Sequence, residues 1–395
     1  MRSLFADRDF RLLAVGQTLS ALGDYAMFLA LGVWAKELTG SNTAAGLTIL
    51  PFALPALAGP ALGVFVDRLP RRQVMIWSDV AAAIAVTSLV AVDGPEDMWL
   101  IYVVSFVSGT IVTIYQAARA GLLRGMLDDD ALGDGNGLLQ ATNQGMRLVA
   151  PLVGAGLFAV FGGPAVAVLD AATFVISAVF LAALRARDIE RRREPLRWIA
   201  EIREGLGHIA ASADLVRLTI GTAIVTLLFG CTEVLIYAVV DEGLGRPPEF
   251  IGVLATLQGV GAVAGGAVAG KVLRRWGELP TIAAACAVAG VGMVAFGSAV
   301  LPFVVGACIG FGVAVALFIV AYETLMQRRT PEALQGRVMA AVEAAVTLPY
   351  VVSIAIGAVI VSIVPFQLVY AIGGAGAVIT SVYFLRGRAR ATTTV

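Results

Sequence analysis

Residues Gly63–Val74 read GVFVDRLPRRQV, and Ala269–Pro280 read AGKVLRRWGELP. Each is a short stretch of Arg and turn-forming residues set between two long apolar runs. The second follows the first by about 206 residues, counted from Gly63 to Ala269. A charged turn that recurs at half the length of the chain implies a duplicated bundle of membrane helices. Two such halves can rock against each other around a central site.

The composition outside these turns agrees. The 395 residues are 59% hydrophobic and only 14% charged, with a mean hydropathy of +0.88. Soluble domains carry about 25% charged residues, and a soluble chain this apolar could not bury enough of its surface. Lipid is therefore the solvent for most of it. The formal net charge of zero suggests no nucleic-acid partner.

A hydrocarbon core of about 30 Å needs about 20 apolar residues per helix. Such runs occur near 10–35, 44–66, 73–92, 98–118, 134–161 and 164–184. They resume near 214–240, 248–272, 279–299, 302–325, 333–362 and 365–385. The fold class is an all-α membrane protein, with twelve transmembrane helices in two pseudo-symmetric six-helix bundles. The N-terminal bundle takes 1–184, a cytoplasmic amphipathic connector 185–213, and the C-terminal bundle 214–395. Pro195 can open a helix in that connector, where Trp198, Ile199, Ile202, Leu206 and Ile209 recur at helical spacing. A basic helix of this kind lies along the inner leaflet.

Cations orient the chain. One set of loops and ends holds Arg2, Arg8, Arg11, Arg68, Arg71, Arg72 and Arg124, then the connector cations from Arg185 to Arg203. The same set continues with Lys271, Arg274, Arg275, Arg328, Arg329, Arg337 and the tail Arg386, Arg388 and Arg390. The opposite loops hold only Lys36 and Arg246. Both termini and the connector are thus expected in the cytoplasm, on the inner face of a bacterial plasma membrane. No cleavable signal peptide is expected, because the first apolar run is long and lacks a small-residue cleavage site.

Several chemistries find no support. No GxxxxGK[ST] loop is present, so ATP is not expected as fuel. Cys231, Cys286 and Cys308 fall inside apolar runs and read as inert packing residues. The single His208 lies in the connector. No metal-binding spacing or Ser/His/Asp set emerges, and an enzyme is not expected. Gly and Ala runs such as Gly259–Gly270 and Gly373–Ala377 permit close helix approach in lipid, for static packing or for sliding.

Acids inside spans carry the sharpest hypotheses, because a charge in lipid is expensive. Asp24 lies mid-way along the first span, in LSALGDYAMFLAL, and Glu233 mid-way along the seventh, in LLFGCTEVLIYAVV. These spans are counterparts, so both acids are expected to face one cavity. Desolvation disfavours the charged form of a carboxyl, so each could hold a proton on one side and release it on the other. A proton and a cationic substrate competing for one carboxylate would couple the two. The structural alternative is an acid neutralised by a hydrogen bond or by Arg147, whose candidate partners are Asp24 and Asp170. Glu343 could line the cavity. Glu323 could gate the second half with Arg328 or Arg337. Gln17, Gln140, Asn143, Gln144 and Gln258 are neutral hydrogen-bonding groups expected near the cavity. Tyr25, Phe28, Trp34, Phe229, Tyr237 and Tyr350 could line it or pack in the core.

The first charged turn resembles the signature loop of the major facilitator superfamily: Gly63, Asp67, Arg68, Arg71 and Arg72, with Pro70 where many members carry Gly. Further segments are similar to its drug:proton antiporter branch, which includes macrolide-type, tetracycline-type and siderophore exporters. They are Tyr115–Arg119, the Asn136 segment, RLVAPLVGAG at Arg147–Gly156, LDAATFVISA at Leu169–Ala178, IREGLGHI and QRRTPEALQGRV at Gln327–Val338. Together they cover nearly the whole chain. The resemblance implies a cytoplasmic latch of Asp67, Arg68, Arg72, Asp79 and Arg119, through ion pairs and a helix N-terminus; otherwise the loop is only a topogenic positive turn. The second copy, Lys271–Gly277, lacks the matching acid. The resemblance also implies that Pro151, Gly154 and Gly156 form an antiporter-type motif sealing against the eighth span; otherwise they make a plain kinked packing site. Asp170 matches the family pattern, which suggests a structural role.

The expected function is export of amphipathic or cationic small molecules by proton antiport with alternating access. The proton gradient is the energy source, no cofactor is required, and the chain acts as a monomer among lipids. A dedicated exporter of a siderophore or other metabolite, anchored by Arg147, is the alternative. A transport-inactive sensor or a lipid translocase on the same fold is the rival of another class.

Overall fold

The computed structural model describes residues 7–66, 68–185, 198–331 and 334–385. The first span is α1 (Arg8–Thr39). Asp7 caps it by accepting from the backbone N–H of Asp9 at 2.7 Å and of Phe10 at 3.2 Å, and Gly40 ends it at φ +66°, the left-handed turn that closes many helices. The second span is not one helix. It forms α2 (Asn42–Leu47), α3 (Ile49–Ala53), a 3₁₀ turn Leu54–Ala58 and α4 (Gly59–Val66). Pro51, Pro55 and Pro60 each remove a backbone donor, which explains the interruptions.

The N-terminal bundle continues with α5 (Arg71–Ser88), α6 (Met98–Met126), α7 (Asp129–Phe161) and α8 (Gly163–Ala182). Then come α9 (Trp198–Ala211), α10 (Ala213–Ala238), α11 (Phe250–Trp276), α12 (Glu278–Gly297), α13 (Leu301–Arg329), α14 (Gln335–Ile360) and α15 (Phe366–Leu385). Among the described residues eleven helices are long and apolar enough to cross a membrane; the broken α2–α4 path makes the twelfth span of the expected fold.

Contacts divide the chain into Met1–Leu196 and Arg197–Val395. The two units repeat one packing scheme. In the first, α1 packs on α7 and α8, α5 on α6 and α8, and α3 and α4 on α6. In the second, α10 packs on α14 and α15, α12 on α13 and α15, and α11 on α13. Advancing each span by six converts the first set into the second, the duplication read from the charged turns. The helix α9 packs on α14 and α10, so this part of the connector belongs with the second unit. Pro195 lies outside the described residues.

Each bundle has a dense apolar cluster at its Arg-bearing end. In the first it includes Phe10, Leu13, Val66, Met75, Leu122, Leu139 and Leu181; in the second, Ile209, Leu218, Ile282, Leu325, Val338 and Phe384. Large apolar side chains also point outward, Trp77 at 68% exposure and Ile379 at 69%, as lipid-facing surfaces require. Glycines let helices touch backbone to backbone: a methyl group on Gly290 would come within 2.6 Å of the carbonyl oxygen of Gly374, and the reverse holds too.

Candidate functional site

The acids of the first bundle converge from three helices. Asp24 on α1, half-buried, and Asp79 on α5, 1% exposed, line one cavity of about 40 Å³ with Ser20, Ser108 and Tyr115. Asp170 on α8, also 1% exposed, adjoins this cluster through α1. A methyl on Gly23 would strike the Oδ1 of Asp170 and the Oγ1 of Thr173, so the missing side chain lets α8 bring its carboxyl against α1. Asp24 lies within electrostatic reach of both other acids. Neither oxygen of Asp79 receives a hydrogen bond, nor does Oδ1 of Asp170, although the Ser177 hydroxyl lies beside Asp79.

This arrangement corrects two expectations. Asp79 does not belong to a cytoplasmic latch. It stands one helical turn beyond Met75 of the apolar cluster, enclosed in its own bundle, where the loop arginines do not reach it. Arg147 pairs with neither Asp24 nor Asp170. It is exposed on α7, within electrostatic reach of Tyr25, and no ion pair between described residues includes it.

The other gate residues make the following contacts. Arg72 donates to the carbonyl of Leu181 at 2.8 Å and to that of Ala182. These contacts satisfy the free end of α8 with a favourable charge. Arg71 lies over Gly121 of α6, Arg68 is exposed, and Arg119 donates to Oε1 of Gln116 on its own helix at 3.1 Å. Gly63 has open space where a side chain would go. Asp67 lies outside the described residues.

On α7, Pro151 sits inside a continuous helix. Gly154 is used against α1: a methyl there would approach the carbonyl oxygen of Ala26 to 2.7 Å, and Gly156 takes no part in that contact. The neighbour of Gly154 is therefore the first span of its own bundle. From the adjacent residue of α1, the Tyr25 hydroxyl donates to Oδ1 of Asn143 at 2.7 Å and ties the same two helices.

In the second bundle Glu233 is exposed on α10 and accepts from the Tyr350 hydroxyl of α14 at 2.6 Å. Glu323 and Glu343 are also exposed and flank Tyr322. The expected second-half gate is re-paired. Arg328 meets Glu278 at 2.6 Å and Arg337 meets Glu204 of α9 at 2.7 Å, so Glu323 partners neither. Arg329 joins Asp214 at 2.7 Å, and its carbonyl lies 3.1 Å from Nε2 of His208. Sequence reasoning missed Glu204, Asp214 and Glu278, because the register between α9, α10, α12 and their neighbours is tertiary information.

The aromatic candidates divide. Trp34 and Tyr237 are core residues at 4% and 6% exposure, whereas Phe28 is exposed and meets Phe52 edge-on at 5.0 Å. The three cysteines are free. Cys231 donates its N–H to the Ser353 hydroxyl at 2.8 Å, an α10–α14 contact.

A family model described as the Major Facilitator Superfamily matches residues 13–237 and 218–394. The MFS-type transporter YfiS of Bacillus subtilis is 26% identical over 377 residues, which cover 92% of this chain and 89% of that protein. Macrolide efflux protein A of Streptococcus pyogenes is 27% identical over 205 residues, 51% of each chain. Among solved structures, a bacterial homologue of the iron transporter ferroportin in an inward-facing state aligns with a TM-score of 0.72 at 18% identity, covering 96% of this chain and 98% of that one. The POT family transporter PepTSo aligns at 0.78 with 12% identity, covering 98% of this chain and 99% of that one. At these identities the structural likeness concerns the fold alone.

Proposed function

This chain belongs to the Major Facilitator Superfamily, and from that premise we propose that it exports amphipathic or cationic small molecules in exchange for protons, by alternating access. The coarser facts are firm: it is a multi-pass membrane transporter and not an enzyme. The observation that carries the finer reading is the acid Asp24, set mid-way along α1 on a small, mostly apolar cavity shared with Asp79, Ser20 and Tyr115, in no ion pair among the described residues. A carboxyl in that setting exchanges protons more readily than it holds a permanent charge. The efflux relative matches half of the chain and supports the direction of transport.

In this reading Asp24 carries the coupling proton. Glu233, held by Tyr350, and the exposed Glu343 supply negative charge for a cationic substrate. Both termini lie in the cytoplasm, the protein works as a monomer in the bacterial plasma membrane, and the proton gradient replaces any cofactor. Arg147 favours a second reading. An exposed Arg mid-way along a span without a carboxylate partner suits the anchor for an anionic metabolite, as in a dedicated exporter.

The test uses proteoliposomes with an imposed pH gradient and the lipophilic cation tetraphenylphosphonium. Antiport moves protons when the cation is added, and no response at any gradient removes the reading. Asp24→Asn abolishes uphill accumulation while leaving helicity unchanged; accumulation at the parental level assigns Asp24 to structure. A drug-susceptibility panel in an efflux-deficient host then separates cations from anionic metabolites, for which Arg147→Ala is the selective loss.

A further inference from the structure

The N-terminal bundle has a charge problem that the exporter reading does not use. Asp79 and Asp170 are the buried acids among the described residues of the whole chain, both at 1% exposure, and both lie in this half. Among its described residues the second bundle buries hydroxyl and thiol groups but no acid at comparable depth, among them Thr281, Ser353 and Thr380. Counting eight residues from the first residue of each helix, Asp79 of α5 falls where α12 has Cys286. The repeat is therefore conserved in packing and broken in charge.

Three helices pack around Asp79 with polar side chains. From α1 come Asp24 and Ser20, from α6 Tyr115 and Ser108, and from α8 Asp170 and Ser177. Of the cations of the same bundle, Arg119 of α6 lies within electrostatic reach of Tyr115 and donates to Gln116, Arg72 binds the end of α8, and Arg147 is exposed on α7. The Tyr115 hydroxyl, like both Asp79 oxygens, has no hydrogen-bond partner from the protein. These groups border a cavity of about 40 Å³, room for one or two waters. No ion pair between described residues includes Asp24, Asp79 or Asp170, and three such carboxyls in low dielectric cannot all ionise. Among the described residues no three acidic side chains close into a metal-ligating set.

We propose that the cavity between α1, α5, α6 and α8 is a proton-binding site internal to the N-terminal bundle, in which Asp79 holds the proton and Asp24 is its exchange partner through an enclosed water. The proton leaves the carboxyl of Asp79, crosses the water and is taken up by the carboxylate of Asp24, so the charge of the pair is unchanged. Ser20 and Tyr115 offer hydroxyls to whichever acid is ionised. Asp170 raises the cost of a second negative charge. The site deepens the antiport reading by giving its coupling proton a second carrier, but its occupancy is measurable without transport.

Infrared spectroscopy of the purified full-length chain, stepped between acid and alkaline buffers, tests it. The parent shows a protonated carboxyl carbonyl band at neutral pH; Asp79→Asn loses one component of it, and Asp24→Asn shifts the component that remains. Glu96→Gln, at an exposed acid outside the cluster, leaves the band intact. Circular dichroism checks that each variant is folded, and Asp79→Glu, which keeps the acid, retains a displaced band if the amide variant does not fold. An Asp79→Asn spectrum identical to the parent's overturns the site. So does a band that vanishes when sodium chloride replaces choline chloride at constant pH, which makes the ligand a sodium ion. No substrate or gradient is present, so failure of antiport and failure of this site are separate results.

Discussion

Gly23 is the residue at which the packing of the first bundle meets its chemistry. Its bare Cα lets the backbone of α8 approach, and Asp170 Cα lies 3.0 Å from where a methyl would stand. Gly23→Ala should therefore overpack α1 against α8 and cost about 1–3 kcal/mol, read as a lower apparent Tm of the detergent-solubilised protein. The same substitution should disturb the carboxyl cluster, because the methyl also meets the Asp170 oxygen. An unchanged Tm removes the close-approach argument. Arg72 illustrates the opposite lesson. Its place in a motif-like loop suggests a moving latch, yet its guanidinium is engaged by two carbonyls at the end of α8.

At the scale of elements, small residues decide which helices touch. Gly265 and Gly266 are neighbours on α11 with opposite surroundings. A methyl on Gly265 would meet Val313 of α13, with Cα and carbonyl oxygen both at 2.8 Å, whereas one on Gly266 meets nothing within 4 Å. Gly265→Ala should lower the Tm, and Gly266→Ala should leave it equal or raise it slightly, since Ala outdoes Gly in a helix interior by roughly 0.5–1 kcal/mol. Parallel thermal unfolding of the two variants checks this, and equal losses contradict it. The helix α9 follows the same logic with charges added. Gly205 lies against the backbone carbonyl of Arg337, and Glu204 pairs with its guanidinium. An exposed pair of this kind is worth about 0.2–1 kcal/mol, so the docking rests more on the burial of Ile209 in the apolar cluster that the close backbone contact permits.

For the whole molecule, the asymmetry of loop cations predicts topology. Cys introduced at the exposed Arg246 should react with a membrane-impermeant maleimide in intact cells, and Cys introduced at the exposed Arg275 only after permeabilisation. The reverse pattern would overturn the cytoplasmic placement of both termini. The background control carries Cys231→Ala, because Cys231 is only half-buried, whereas Cys286 and Cys308 are buried at 3% and 7% exposure. Solvent, span number and duplication were legible from the amino acids alone. Hydropathy over about 20 residues is a local property, and the charged turns at Gly63–Val74 and Ala269–Pro280 survive as boundaries between packed helices. The acids mid-way along spans were legible as candidates for the same reason. Their grouping was not. Asp24, Asp79 and Asp170 come from three helices far apart in sequence, and a helix in lipid is apolar on both its core-facing and its lipid-facing sides. Periodicity therefore does not report how each helix is rotated. Only the tertiary packing, through contacts such as Gly23 on α8 and Gly154 on α1, turned those carboxyls toward one another and left Glu233 on the exposed side of its bundle.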